Sequence, residues 1–373
     1  MTKSRSLWLL SVILGVTVFS QAVYAQLTGQ ADSSSNRSVT DDSLLPKDLL
    51  AKGMNGDLQS AYKLGDMYFT GKGAPRDYAR AADWYRKAAL AGIPEAQVQM
   101  GYITQHGLGV QADPERAAKW FALAAHGDSD QGRMNLGVLY INGLGVHQDT
   151  ATAFELFSSS ARKGNSYAMV YLGNMYLMGV GVERDPSRAE DLYKRAAKMR
   201  NPIALYNLAS LYSVEQGHAH DLKKSVALFR EAHDAGYSPA SHSLGLILVN
   251  HPELATYRAE GVTLLEESAN GGFWKSAAAL ASMYRDAKQV PQSDSESYRW
   301  FRIAVLEGGA TAEAIVHTSI TPIAARLTAE QRAHLDAQAS SWAEEHPYRP
   351  SLRVAGETAG ASMTVPMSVN AVR

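Results

Sequence analysis

The chain has 373 residues, of which 46% are apolar, a formal net charge of -1 and no cysteine. That apolar fraction excludes wholesale disorder, and a near-neutral charge without Lys or Arg runs argues against a surface for nucleic acid or another polyanion. Without cysteine there is no disulfide, thiol chemistry, Cys-ligated zinc or cysteine lipid anchor, so stability must come from packing.

At the start of the chain, Lys3 and Arg5 precede an apolar run from Leu7 to Phe19, followed by Val23-Tyr24-Ala25. The run is short and a polar segment follows it. Residues 1–25 are therefore predicted to be a secretory signal peptide cleaved after Ala25, the alternative being an uncleaved anchor. Cleavage implies a periplasmic or secreted protein with no membrane span in its mature form. Residues 26–45, rich in Ser, Asp, Asn and Gln, read as a disordered linker. Asn36-Arg37-Ser38 within it matches a glycosylation sequon, which matters only in a eukaryotic source.

From residue 46 to 310 a single period organises the sequence. Gly65, Gly101, Gly137 and Gly173 are each 36 residues apart, and the step continues through Ala209, Gly245 and Ala281. Asp77, Asp113, Asp149, Asp185 and Asp221 keep the same step. So do the large residues Tyr85, Phe121, Phe157, Tyr193, Phe229, Leu265 and Phe301, and so does a column holding Trp84, Trp120 and Trp300. A fixed period of this size indicates a solenoid of stacked units.

Each unit resolves into two helices. Ala61, Leu64, Gly65 and Tyr68 lie at i, i+3, i+4 and i+7 on one face of a first helix. Ala81, Trp84, Tyr85, Ala88 and Ala89 repeat that spacing in a second, with Asp77 as its N-cap and Gly92 as its stop. Small residues facing rings let the two helices approach closely, so the aromatic stripe reads as core. Between the helices, Gly71-Lys72-Gly73 recurs as Gly107-Leu108-Gly109, Gly143-Leu144-Gly145 and Gly179-Val180-Gly181. Four copies between helices, with no strand and no constant lysine, indicate a turn requiring positive φ rather than a phosphate loop.

The run Ala61-Tyr62-Lys63-Leu64-Gly65-Asp66-Met67-Tyr68, then Gly71-Lys72-Gly73, Asp77, Arg80-Ala81 and Trp84-Tyr85-Arg86-Lys87-Ala88-Ala89, closely resembles the Sel1-like repeat. Gly107 to Val110, Gly143 to Val146 and Gly179 to Val182 match its turn as well. The resemblance implies an all-α fold: a right-handed α/α superhelical solenoid, related to tetratricopeptide repeats, of about seven helix-turn-helix units. It is strong over residues 57–200 and weaker over 201–308. Repeats six and seven lose the glycine pair, so their turns are expected to differ. Residues 46–54 look like an N-terminal half-unit and 311–345 like C-terminal capping helices, with Leu335 and Trp342 of the stretch from Thr328 to Glu345 turned inward. Residues 346–373, punctuated by Pro and Gly, read as a disordered tail.

By this resemblance the protein is an interaction scaffold, not an enzyme. In stacked pairs the first helices line the concave face, which places Tyr62, Asp66, Phe69, Tyr102, Gln105, Val138, Ile141, Asn174, Leu177 and Tyr206 there as partner-binding residues. Tyr62, Phe69, Tyr102 and Tyr206 would be the anchors, because exposed apolar and aromatic patches mark binding sites. The competing expectation is that tight curvature buries these side chains against neighbouring repeats. The positions that hold Lys in tetratricopeptide grooves grasping a C-terminal carboxylate are not basic here, so that activity is not carried over.

No hydrolase, zinc-protease or nucleotide motif is present. His218-Ala219-His220-Asp221, with Glu215, has a metal-like look but lacks a specified third ligand, and Glu266-Glu267 and Glu344-Glu345 read as solvated faces. No cofactor or metal is expected. Two readings remain: an exported adaptor that binds a protein of the cell envelope or exterior, and a glycan- or peptidoglycan-binding module assisting a cell-envelope enzyme.

Overall fold

The protein is described by a computed structural model covering residues 45–346 apart from 215–218. The predicted signal peptide, its cleavage point, the sequon, most of the linker and the tail beyond His346 lie outside the described residues. Leu45, the last residue of the predicted linker, is an exception: it is buried.

Among the described residues the regular structure is helical. The chain divides into two compact units, one ending at Leu192 and the other starting at Tyr193. The first unit opens with α1 (Lys47–Met54), followed by hairpins α2/α3 (Leu58–Thr70, Tyr78–Leu90), α4/α5 (Pro94–His106, Pro114–His126) and α6/α7 (Asp130–Asn142, Thr150–Arg162). It ends with α8 (Ser166–Met178) and the start of α9 (Pro186–Lys198). In the second unit come α10 (Pro202–Ser213), α11 (Leu222–Asp234), α12 (Ser238–Asn250), α13 (Arg258–Asn270), α14 (Trp274–Asp286), α15 (Asp294–Arg326) and α16 (Ala329–Glu345). From α1 to α8, and again from α10 to α16, successive helices pack on one another.

The sequence columns become three physical devices. First, the Asp column caps the second helices. Asp77, Asp113, Asp149 and Asp221 accept from backbone N–H groups three residues on, at 2.9–3.0 Å, satisfying donors that a helix start leaves orphaned. Their own N–H groups reach back to Tyr68, Thr104, Tyr140 and Tyr212, closing each turn. Second, the Gly column meets the ring column. A Cβ on Gly65, Gly101 or Gly137 would lie 2.6, 2.5 or 2.8 Å from the ring of Tyr85, Phe121 or Phe157. The rings are wholly buried, each contributing roughly 2 kcal/mol of hydrophobic stabilisation.

Third, the two glycines of each turn do different work. Gly71, Gly107, Gly143 and Gly179 end the first helix at φ 66–73°, in the left-handed C-cap position. Gly109 and Gly145 also have positive φ, but a Cβ there would fall 2.2 Å from backbone of Ala79 or Pro114, in the preceding repeat's second helix. The second glycine is therefore an inter-repeat contact as well as a turn residue. Left-handed backbone also recurs at every repeat junction. Gly56, Gly92, Gly164, Gly236 and Gly272 hold it, and in the same register so do Asp128 (φ 69°) and Arg200 (φ 59°).

The expectation of altered turns in repeats six and seven needs one correction. Repeat six does differ, with a 3₁₀ helix at Pro252–Tyr257 before α13. Repeat seven keeps the turn without its glycines: Ala287 and Gln289, in register with Gly71 and Gly73, adopt φ 54° and 65°. Packing of α14 against α15 holds side-chain-bearing residues in a conformation that glycine takes at no steric cost.

At the C-terminal end, α15 kinks at Gly309 (φ 55°, ψ -146°) before running on to Arg326. Arg326 returns to Asp294 in a bidentate pair at 2.5 and 2.6 Å. Thr328 and Gln331 form a capping box that starts α16. Leu335 is buried, and Trp342 packs edge-on to Trp300 at 5.7 Å. None of the described helices is long and apolar enough to cross a membrane.

Candidate functional site

The residues assigned to the binding face divide by burial. Tyr62, Asp66, Phe69, Tyr102, Gln105 and Leu177 are half-buried. Val138, Ile141, Asn174 and Tyr206 are not surface residues: they are 4, 6, 2 and 7% exposed. These four are buried, as the competing expectation has it, though for Tyr206 the covering rings belong to its own repeat and not to a neighbouring one. In the first unit α4 touches α6 directly, one first helix against the next. In the second, Tyr206 lies edge-on to Phe229 and Tyr237 at 5.4 and 5.3 Å, and its hydroxyl accepts from Ser243 at 3.2 Å. Tyr206 is a core residue.

Leu177 stays half-buried by itself on α8, and the other five residues form one patch on repeats one and two. Tyr62, Asp66 and Phe69 fall at i, i+4 and i+7 on one face of α2. Below them lies the ring of Tyr85 from α3, 5.6 Å from Tyr62 and 6.3 Å from Phe69. Phe69 also meets Tyr78 at 5.4 Å and, across the repeat junction, Tyr102 of α4 at 6.0 Å. Tyr102 in turn meets His106 at 4.6 Å. These are edge-on or tilted contacts, the arrangement aromatic quadrupoles favour.

Asp66 sits between the rings. Its Oδ1 accepts the Tyr85 hydroxyl at 2.5 Å. Burial raises the Asp66 carboxyl above its ordinary value although that hydrogen bond opposes the shift. Burial likewise pushes the Tyr62, Tyr85 and Tyr102 hydroxyls up, so all three are neutral phenols at physiological pH. Burial drives the His106 imidazole down to about 4, and its Nε2 has no partner.

Tyr78, Tyr85 and His106 are members of this patch that sequence reasoning did not assign to it. A signal existed for Tyr85: its column holds Phe in repeats two, three, five and seven (Phe121, Phe157, Phe229, Phe301). Tyr recurs in that column only as Tyr193, and the two repeats with the hydroxyl are the ones with an acid or amide at the position of Asp66 (Asp66 and Asn174), where repeats two, three and five carry Tyr102, Val138 and Ser210. Such a paired departure indicates that the two side chains meet.

The other chemistry-bearing clusters contribute less. His218 lies outside the described residues and His220 is exposed. Among the described residues no three His, Asp or Glu side chains are grouped to hold a metal. Glu344 and Glu345 are exposed on α16. An open cleft of about 730 Å³ lies beside α7, lined by Arg133, Thr152, Glu155, Ser159 and Arg162, but it encloses no buried polar group.

A profile of the Sel1 repeat matches residues 58–93, 94–129, 131–165, 166–201, 202–237 and 274–309, together more than half of the sequence. The unmatched interval is the one in which the 3₁₀ helix replaces the glycine turn. No curated protein matches the chain. Among solved structures, a Sel1 repeat protein from Oxalobacter formigenes is 28% identical, covering 59% of this chain and 91% of its own, with a TM-score of 0.51. The protective antigen c5321 of uropathogenic Escherichia coli, which displays an SLR fold, is 20% identical over 85% of this chain and 91% of its own (TM-score 0.35). Immunity protein Pa5087 from Pseudomonas aeruginosa is 20% identical over 54% and 76% (TM-score 0.36).

Proposed function

Because the chain belongs to the Sel1 repeat family, whose solenoids typically serve as protein-interaction scaffolds, we propose that it is an exported, non-enzymatic adaptor. In this reading it binds a protein of the cell envelope or exterior through the first helices of repeats one and two. Tyr62, Phe69 and Tyr102 are the anchors, with Asp66 and Gln105 beside them. The observation that supports it is the patch itself: three half-buried rings on one face, where repeats three to five bury most of the equivalent positions and leave only Leu177 and Ser213 half-buried. Aromatic side chains with a polar neighbour are what protein interfaces enrich.

The test is a pull-down from an envelope extract with the full mature chain, run beside a peptidoglycan sedimentation assay. The adaptor reading expects specific protein partners whose capture is lost in a Tyr62→Ala, Tyr102→Ala double variant that still folds. Sedimentation with peptidoglycan, unaccompanied by protein capture, would replace it with the glycan-binding reading.

A further inference from the structure

We propose that the cradle formed by Tyr62, Asp66, Phe69 and Tyr102, with the buried Tyr85 beneath it, is a binding site for a cationic side chain, a lysine or arginine presented by a protein partner. The inference deepens the adaptor reading and rests on it for the source of the cation.

The argument is charge complementarity. Asp66 is a half-buried carboxylate that receives a single hydrogen bond, from the Tyr85 hydroxyl at 2.5 Å. Among the described residues no Lys, Arg or His forms an ion pair with it. Several other carboxylates of this fold are ion-paired, among them Asp128 with Arg133 and Lys163, Asp294 with Arg326, and Glu260 with Arg230. Partial burial of a carboxylate without a counter-charge is unfavourable, and a ligand cation removes that penalty.

The walls suit the same ligand. Tyr62 and Phe69 stand one helical turn either side of Asp66, and Tyr102 closes the far side against Phe69 at 6.0 Å. Ring faces carry negative potential and attract ammonium or guanidinium groups, most strongly where water is partly excluded. One ring at the edge of the cradle already does so: the Arg76 guanidinium lies 6.0 Å over Tyr78. Glu95, exposed at the start of α4, acts electrostatically on Tyr62 and adds a second negative charge at the rim. A neutral sugar would use the rings but leave the carboxylate uncompensated.

The experiment is calorimetric titration of the mature chain with an N-acetylated, C-amidated peptide bearing Lys and Arg, against a matched peptide carrying norleucine and citrulline. The cationic peptide should bind at least about tenfold more tightly, and its affinity should fall with added salt. Asp66→Asn, which can still accept from Tyr85, should abolish that preference while the melting temperature stays near wild type. Glu95→Gln and Tyr62→Leu, both at the rim, should weaken binding several-fold, and they serve if Asp66→Asn proves unstable. Equal binding of both peptides, an unchanged preference in Asp66→Asn, or binding of a soluble peptidoglycan fragment in place of either peptide overturns the proposal. If envelope proteins are captured equally by wild type and Asp66→Asn, the adaptor reading stands and this one falls. If the cationic peptide binds but no envelope protein is captured, the reverse holds.

Discussion

Gly101 lies so close to Phe121 that a methyl group on it would sit 2.5 Å from the ring. The two residues are 20 apart in sequence and belong to the two helices of one hairpin, α4 and α5. Gly101→Ala must therefore separate the helices or displace a wholly buried ring, a form of overpacking that costs about 1–3 kcal/mol. A lowered urea midpoint at unchanged slope is the expected reading. An unchanged midpoint would mean that the hairpin can open by a methyl group at no cost.

The two glycines of the repeat-three turn should respond differently. Gly143 needs only its positive φ, and its nearest contact would be the Gln148 side chain at 3.2 Å. Gly145 has backbone of Pro114 at 2.2 Å from a notional Cβ. Gly143→Ala should cost about 1 kcal/mol, the ordinary left-handed penalty. Gly145→Ala should cost clearly more, because the preceding repeat must move. Equal losses in chemical denaturation would refute an inter-repeat role for the second glycine.

Where the fold demands left-handed backbone of a residue with a side chain, glycine should be an improvement. Arg200→Gly and Ala287→Gly are each expected to raise stability by about 0.5–1 kcal/mol, the removed strain exceeding the added chain entropy of glycine. Calorimetric melting of the single variants checks this, and a lower melting temperature in both would contradict it.

Tyr62 and Tyr206 occupy the same position of the repeat but different surroundings. Tyr206→Ala, which empties a buried site among Phe229 and Tyr237, should cost about 3–4 kcal/mol and act on folding. Tyr62→Ala should cost about 1 kcal/mol and act on partner capture. Paired melting and pull-down measurements separate the two, and equal destabilisation would remove Tyr62 from the site.

Mild acid should destabilise the fold through two imidazoles. Burial holds His106 down to about 4 and His242 down to about 3, from an ordinary value of 6.5. Between those values the unfolded chain binds protons that the folded chain does not, so stability is lost as pH falls below about 6.5 and regained as it rises. His106→Gln with His242→Gln should flatten the pH dependence of stability over that window. A double variant with the wild-type slope would assign the loss to other groups.

Much of this protein was legible in one dimension because its packing is local. Each repeat buries its stripe against the next, so a fixed register in sequence becomes a fixed register in space. The 36-residue columns therefore located the caps, the turns and the close helix pairs. Local reasoning failed where a contact crosses between repeats. Periodicity gave Gly145 a reason to be in a turn but not its approach to Pro114. Losing the glycines at 287 and 289 looked like losing the turn, yet the packing of flanking helices retained it.

The candidate site shows the same division. Helical spacing placed Tyr62, Asp66 and Phe69 on one face of one helix, and Tyr102 at the matching place on the next. It placed Tyr206, Val138, Ile141 and Asn174 there with equal logic, since burial depends on what neighbouring elements cover and not on the period. Only the tertiary structure distinguished repeats one and two, where the face stays partly open, from repeats three to five, where most of it is filled and only Leu177 and Ser213 stay half-buried. Only it brought the Tyr85 hydroxyl to Asp66, because a hydrogen bond between two helices depends on how closely they approach, and no pattern along a single helix carries that distance.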